Sequence, residues 1–215
     1  MTLTRRAFAA VLSGTVVAGS GCLGFITGEE AQTFEASPPT VSDAALEETD
    51  YQQSGEQESE EMEVTRTVEG GGQERDIKAV NYISEYERKV SFLGMEKRAA
   101  VYVAFSTPKV EILGETFNPV GEMSDKELVQ QVQGKYEGLS VEEDPVDVRE
   151  TQMLGTTVEV SKFEGQADLD GSTVDVYVHV GQADHDGDFV IPIGVYPQQI
   201  DDEEEVFTMI ESTEH

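Results

Sequence analysis

Cysteine occurs once in these 215 residues and tryptophan not at all. A single thiol excludes an internal disulfide framework and any metal centre built from several cysteines. Aromatic residues make up 7% of the chain, too few for a platform that stacks bases or sugars. Positive charge is also scarce. Lysine and arginine number 14 against 44 aspartates and glutamates, a formal charge of −30. Nucleic acid is bound by basic patches that neutralise its phosphates, so that balance argues against a nucleic-acid partner. Histidine appears three times. No H-E-x-x-H or G-x-S-x-G motif occurs, and Gly70-Gly71-Gly72 lacks the Lys-Ser/Thr that follows the glycines of a phosphate loop. No apolar run approaches the ~20 residues that a membrane span needs.

What is present begins with a leader. Arg5 and Arg6 are followed by small and apolar residues from Ala7 to Gly19, a stretch that ends at Gly21-Cys22. A basic start and a short apolar core are the pattern of an export signal. No acidic residue precedes Glu29, although the rest of the chain is crowded with them. Thr4-Arg5-Arg6-Ala7-Phe8 resembles the twin-arginine export motif. Gly19-Ser20-Gly21-Cys22 resembles a lipobox, with Gly19 where the usual pattern has Leu. That resemblance implies a signal peptide over 1–21 and a Cys22 alkylated by a diacylglycerol-type lipid. A double-chain lipid anchors stably where one chain does not. The expectation is a membrane anchor at Cys22, a tether over 22–33 and one folded domain over 34–215, facing outside the cell.

All 44 acidic residues and 12 of the 14 basic ones follow Cys22, which leaves that part near −32. At ordinary ionic strength such a domain repels itself. At 1 M salt the Debye length is about 3 Å and the repulsion is screened. The acid is spread along the chain rather than gathered into one tail or cleft, as on a salt-adapted surface. With the leader, this pattern resembles the secreted lipoproteins of halophilic archaea. The chain is similar to one group of them, small single-domain proteins of unknown function. The likeness lies in Thr33 to Leu46, Phe117-Asn118-Pro119-Val120 and Val174 to His179. The resemblance implies localisation and salt dependence and brings no activity to carry over; no cofactor is expected.

Along the domain, Ser42 is placed to cap a short helix to Thr49, with Val41 and Leu46 spaced as a hydrophobic staple. Residues 52–61 read as an acidic, exposed loop. Alternation then marks strands around Met62 to Val68, Arg75 to Lys89 and Val101 to Phe105, with a short one at 110–114. Ser124-Asp125-Lys126-Glu127 is a capping box ahead of Leu128, Val129, Val132 and Tyr136, and Gly138 can end that helix. Strands follow at Val146 and Val148, at Val158 and Val160, from Val174 to Val180, and from Phe189 to Val195. Asp168-Leu169-Asp170-Gly171 and the turn from Asp184 to Asp188 have hairpin character. Pro192 points to an edge strand or a bulge. Asp201 is placed to cap a last helix that buries Val206, Phe207, Met209 and Ile210. The order predicts an α+β domain, an antiparallel sheet with helices packed on it. Its layout looks like the α/β/α sandwich of the Mog1/PsbP-like group.

Candidate sites are few. Asp184, Asp186 and Asp188 set three carboxylates around Gly187, hard oxygens of the kind that hold Ca²⁺. The ligand number of an EF-hand loop is missing, so the expectation is a polar turn and no metal. Asp168 and Asp170 are a weaker copy. His179 alternates with Asp175 and Tyr177 opposite the valine face, a surface position. Ser106-Thr107-Pro108-Lys109 matches S-x-x-K but follows a strand instead of opening a helix. These observations favour a non-enzymatic binding or accessory domain. A divalent-cation or small-solute binding module, or an enzyme of unrecognised type, stays open as the alternative.

Overall fold

The computed structural model describes residues 32–55, 58–68, 73–92, 95–112, 115–116, 118–136, 138–169 and 172–215. The N-terminal part holds β1 (Gln32–Glu35), β2 (Thr40–Val41), α1 (Asp43–Thr49), β3 (Gln52–Gln53), β4 (Glu58–Val68), β5 (Gln73–Phe92) and β6 (Met95–Pro108). A short pair, β7 (Glu111–Ile112) and β8 (Glu115–Thr116), leads to a 3-10 turn at Pro119–Glu122 and to α2 (Asp125–Lys135). Then come β9 (Leu139–Val141), β10 (Asp147–Met153), β11 (Thr156–Leu169), β12 (Ser172–Gly181), β13 (Ala183–His185) and β14 (Asp188–Pro197). The chain closes with α3 (Glu203–Glu211) and β15 (Thr213–Glu214). This is an α+β domain built on one curled, mixed sheet, in the order β1-β5-β6-β14-β12-β11-β10. Among the described ladders β1 on β5 is parallel and the others are antiparallel.

Period-two alternation gives the sheet two apolar faces. Val103, Val176, Val178, Val180, Ile191 and Ile193 form one core with Leu128, Val129 and Val132 of α2. Tyr102, Val158, Val160, Val190 and Tyr196 form the other with Ala45 of α1 and with Val206, Phe207, Met209 and Ile210 of α3. Helices therefore cover both faces. The Ser42 hydroxyl accepts from the Ala45 N–H at 3.4 Å, and Leu46 packs against the cluster that holds Val41. The capping box of α2 closes both ways. The Glu127 N–H donates to Ser124 Oγ at 3.4 Å, and the Ser124 N–H donates to Glu127 Oε2 at 2.8 Å. Gly138 follows α2 at φ +82°, a left-handed conformation suited to glycine.

Several sequence expectations change. The acidic stretch 52–61 is not a loop throughout. Gln52 and Gln53 pair with Glu87 and Tyr86, and Glu58 to Glu61 pair with Ile83 to Val80. Backbone pairing with the long β5 outweighs the polar composition there. β1 takes in Gln32 and Thr33, the last two residues of the expected tether. Pro192 lies on a central strand, flanked by β6 and β12. Its neighbour on one side changes from β13, where Ala183 faces Val190, to β12, where Val180 faces Ile193. A residue without an N–H fits where a ladder is interrupted. Val146, just ahead of β10, and Val148 on it are 54% and 49% exposed, and Thr151 and Met153 turn to the core instead. The last helix is capped at Asp202, not Asp201.

Candidate functional site

The turn from β13 to β14 places Asp184, His185, Asp186 and Asp188 at one end of the sheet. The hairpin closes with His185 opposite Asp188, with Asp186 at φ 46° and Gly187 at φ 93°. The three carboxylates part company. Asp184 forms an ion pair with Lys109, whose ammonium also lies 5.1 Å from the centre of the Phe189 ring. Asp186 is exposed and lies 3.5 Å from His185 Nε2. Asp188 is buried; its Oδ2 accepts from the Ser37 N–H at 2.8 Å and lies 3.2 Å from His215 Nε2. Burial raises the Asp188 pKa, and the Ser37 N–H and His215 pull it back. No group of three or more His, Cys, Asp or Glu placed to hold a metal ion occurs among the described residues.

His215 is the centre of this end of the molecule. β15 pairs with β2, and that pairing delivers the imidazole between β6 and β14. Ser106 Oγ lies 2.9 Å from its Nε2, and the His185 ring meets it edge-on with centroids 5.5 Å apart. Ser106, His215 and Asp188 are the residue types of a nucleophilic triad. A relay needs the base to face the hydroxyl with one nitrogen and the acid with the other. Here both partners meet Nε2, and Ser106 is fully buried. The S-x-x-K residues also separate, with Ser106 on His215 and Lys109 on Asp184.

Beside it runs a buried amide–hydroxyl chain. The Thr107 hydroxyl donates to Asn81 Oδ1 at 2.7 Å. Asn118 Nδ2 donates to Thr107 Oγ1 at 2.9 Å and to the Pro108 carbonyl at 2.6 Å. Asn81 continues the buried register of Ile77 and Ala79, and Thr107 that of Val103 and Phe105. A polar residue at an apolar-period position was the signal in the sequence for this network.

His179 lies under α3, not on the surface. It is 1% exposed, stacked on Tyr196 at 5.6 Å and 15°, with Phe207 edge-on at 5.6 Å. Nε2 lies 3.2 Å from the Tyr196 hydroxyl, and Nδ1 has no hydrogen-bond partner among the described residues. Loss of hydration pushes the imidazole down to about 4. The sequence missed this because α3 supplies the cover from 24 or more residues away. Around it, Lys162 sits over Tyr177 and pairs with Glu203 at 2.6 Å, while Arg149 sits over Phe207 and pairs with Glu204 at 2.7 Å. Asp202 is fully buried; it accepts from the Tyr51 hydroxyl at 2.9 Å and forms an ion pair with Arg88.

Two acidic clefts lie along β11. One, of about 550 Å³, is lined by Ser140, Glu142, Glu143, Glu164 and Asp175. The other, of about 510 Å³, is lined by Asp125, Glu150, Glu159 and Gln182. Arg5, Arg6, Phe8 and Cys22 lie outside the described residues, as does Asp170.

The model of a domain of unknown function (DUF6517) matches residues 38–214, most of the chain, so the protein belongs to that family. No curated protein matches it.

Proposed function

We propose that this member of a family of unknown function is a lipid-anchored domain held at the outer face of the cell membrane. In this reading Arg5, Arg6 and Phe8 direct export, Cys22 carries the lipid, and the domain works as a non-enzymatic binding or accessory module in a salt-rich medium. The observation that carries it is the position of Cys22. The sole thiol of the chain ends a short basic-then-apolar leader, and every acidic residue follows it. The family match begins at residue 38, which leaves the leader ahead of the folded part. The sheet, covered by helices on both faces, supports a sandwich of the Mog1/PsbP-like kind. A second reading, a divalent-cation or small-solute module, draws on the two carboxylate-lined clefts.

Cys22→Ser tests the anchor. The wild-type protein is expected in the membrane fraction, and the variant in the medium or retained as unprocessed precursor. A processed variant that still sediments with membranes would contradict the reading.

A further inference from the structure

We propose that β10 is an interface between two copies of this chain, which pair edge to edge and antiparallel about Val148. The inference goes beyond the anchored reading and does not depend on it. β10 ends the sheet order, and among the described ladders it pairs with β11 alone. The hairpin between them turns on Leu154 and Gly155, both at positive φ, so Met153 and Thr156 form its closing hydrogen-bonded pair. Antiparallel pairs alternate, so Thr151, Arg149 and Asp147 spend their backbone groups on β11. Val148, Glu150 and Gln152 turn their N–H and C=O groups to the open side. Native sheet edges are blunted by charge, proline or bulges. Just upstream, Glu142-Glu143-Asp144-Pro145 has that character. The edge beyond it carries Val146 and Val148, 54% and 49% exposed on a chain of net charge −30. An open ladder edge with exposed valines is a template for another strand.

Charge selects both the occupant and the register. Asp147 and Arg149 are two apart on β10 and so share a face, the one on which Arg149 meets Glu204 of α3. A two-fold axis at Val148 sets Val148 against the partner's Val148, which exchange two N–H···O bonds. It also sets Asp147 against the partner's Arg149 and Arg149 against the partner's Asp147. Asp147 already faces Lys162 across β11. The joined row therefore reads Lys162, Asp147, the partner's Arg149, with the sign alternating from strand to strand. Neighbouring registers lack this fit. An axis at Arg149 sets that cation against its own copy. An axis at Glu150 does the same with a carboxylate, and a Glu159 stands behind each. Like charges directly opposite each other destabilise a sheet. Two acidic domains repel at low ionic strength, but at 1 M salt the Debye length of about 3 Å screens that long-range term and leaves contact pairs the most of their attraction. Self-complementarity about one residue is what a two-fold contact requires, so the occupant is a second copy of this chain.

Sedimentation and cross-linking of the full chain in molar KCl, with Cys22→Ser to remove its own thiol, test this. The chain is expected to show a reversible monomer–dimer equilibrium. Val148→Lys should raise the dissociation constant about tenfold, since it sets two like charges opposite each other and removes an apolar pair. That variant also lowers the net negative charge, so weaker pairing would not come from repulsion between the domains. Val148→Cys should join two copies under mild oxidation, because a hydrogen-bonded pair holds its Cα atoms about 5.5 Å apart, within the range of a disulfide. Glu150→Cys should not, because the register puts it about 14 Å along the strand from its own copy. A chain that stays monomeric to millimolar concentration would overturn the proposal. So would a dimer that Val148→Lys leaves intact, or Glu150→Cys linking as readily as Val148→Cys.

Discussion

His179 joins the two halves of the C-terminal meander, from β12 through Tyr196 on β14 to Phe207 on α3. Its imidazole is held near 4 in the fold, against 6.5 for the free group. Between those values the unfolded chain takes up a proton that the folded chain refuses. Stability from this group is therefore present above about pH 6.5 and is lost as pH falls toward 4, by about 3 kcal/mol in full. The half-buried Asp125 and the buried Asp188, whose carboxyls are raised, act in the opposite sense over acid pH. Comparison with a variant that keeps those carboxyls isolates the histidine. Urea unfolding of wild type and His179→Phe from pH 7 to 4.5 should show the variant losing less stability on acidification. Parallel curves would mean that the histidine is hydrated in the fold.

At the scale of elements, the contact between α3 and β14 depends on a missing side chain. A Cβ on Gly194 would come within 2.4 Å of Val206 Cγ1. Gly194→Ala should therefore push α3 off the sheet and cost about 1–3 kcal/mol, the usual range for overpacking, read as a lower thermal midpoint. An unchanged midpoint would show that the helix can shift freely. The local rules of this layer were legible in the sequence. The Ser124–Glu127 capping box, the Val174–Val180 face and the buried side of α3 rest on neighbours within a turn or a strand. What was not legible depends on partners far along the chain. β4 takes acidic residues into a ladder because β5 is long enough to pair with them. Pro192 is tolerated at the centre of the sheet because two neighbours change over beside it. Asp202 takes the N-cap position of α3 without a side-chain cap bond, because its carboxylate is held instead by Tyr51 and Arg88 from the other half of the domain.

The whole molecule carries far more acid than base, and the pairing of that acid is uneven. Glu203 and Glu204 have cation partners in Lys162 and Arg149, so neutralising them removes attraction as well as repulsion. Glu150 and Glu159 instead face each other across the β10–β11 ladder, a like-charge pair that destabilises a sheet. Circular dichroism followed while KCl is diluted from molar to 0.1 M should show cooperative loss of structure. Glu150→Gln should shift that midpoint to lower salt. Phe207→Ala should cost about 3–5 kcal/mol at every salt concentration, as removal of a buried ring does. A domain that keeps its native signal and melting point at 0.1 M salt, where the Debye length is about 10 Å, would contradict the salt-adapted reading.

The proposed anchoring rests on one atom, the sulfur of Cys22, and the mass of the N-terminal peptide reports on it directly. Protein extracted from membranes and digested should yield an N-terminal peptide that begins at Cys22 and carries the added mass of a diacylglycerol-type lipid. A peptide that runs through Cys22 from the leader, or one that begins at an unmodified Cys22, would contradict the account.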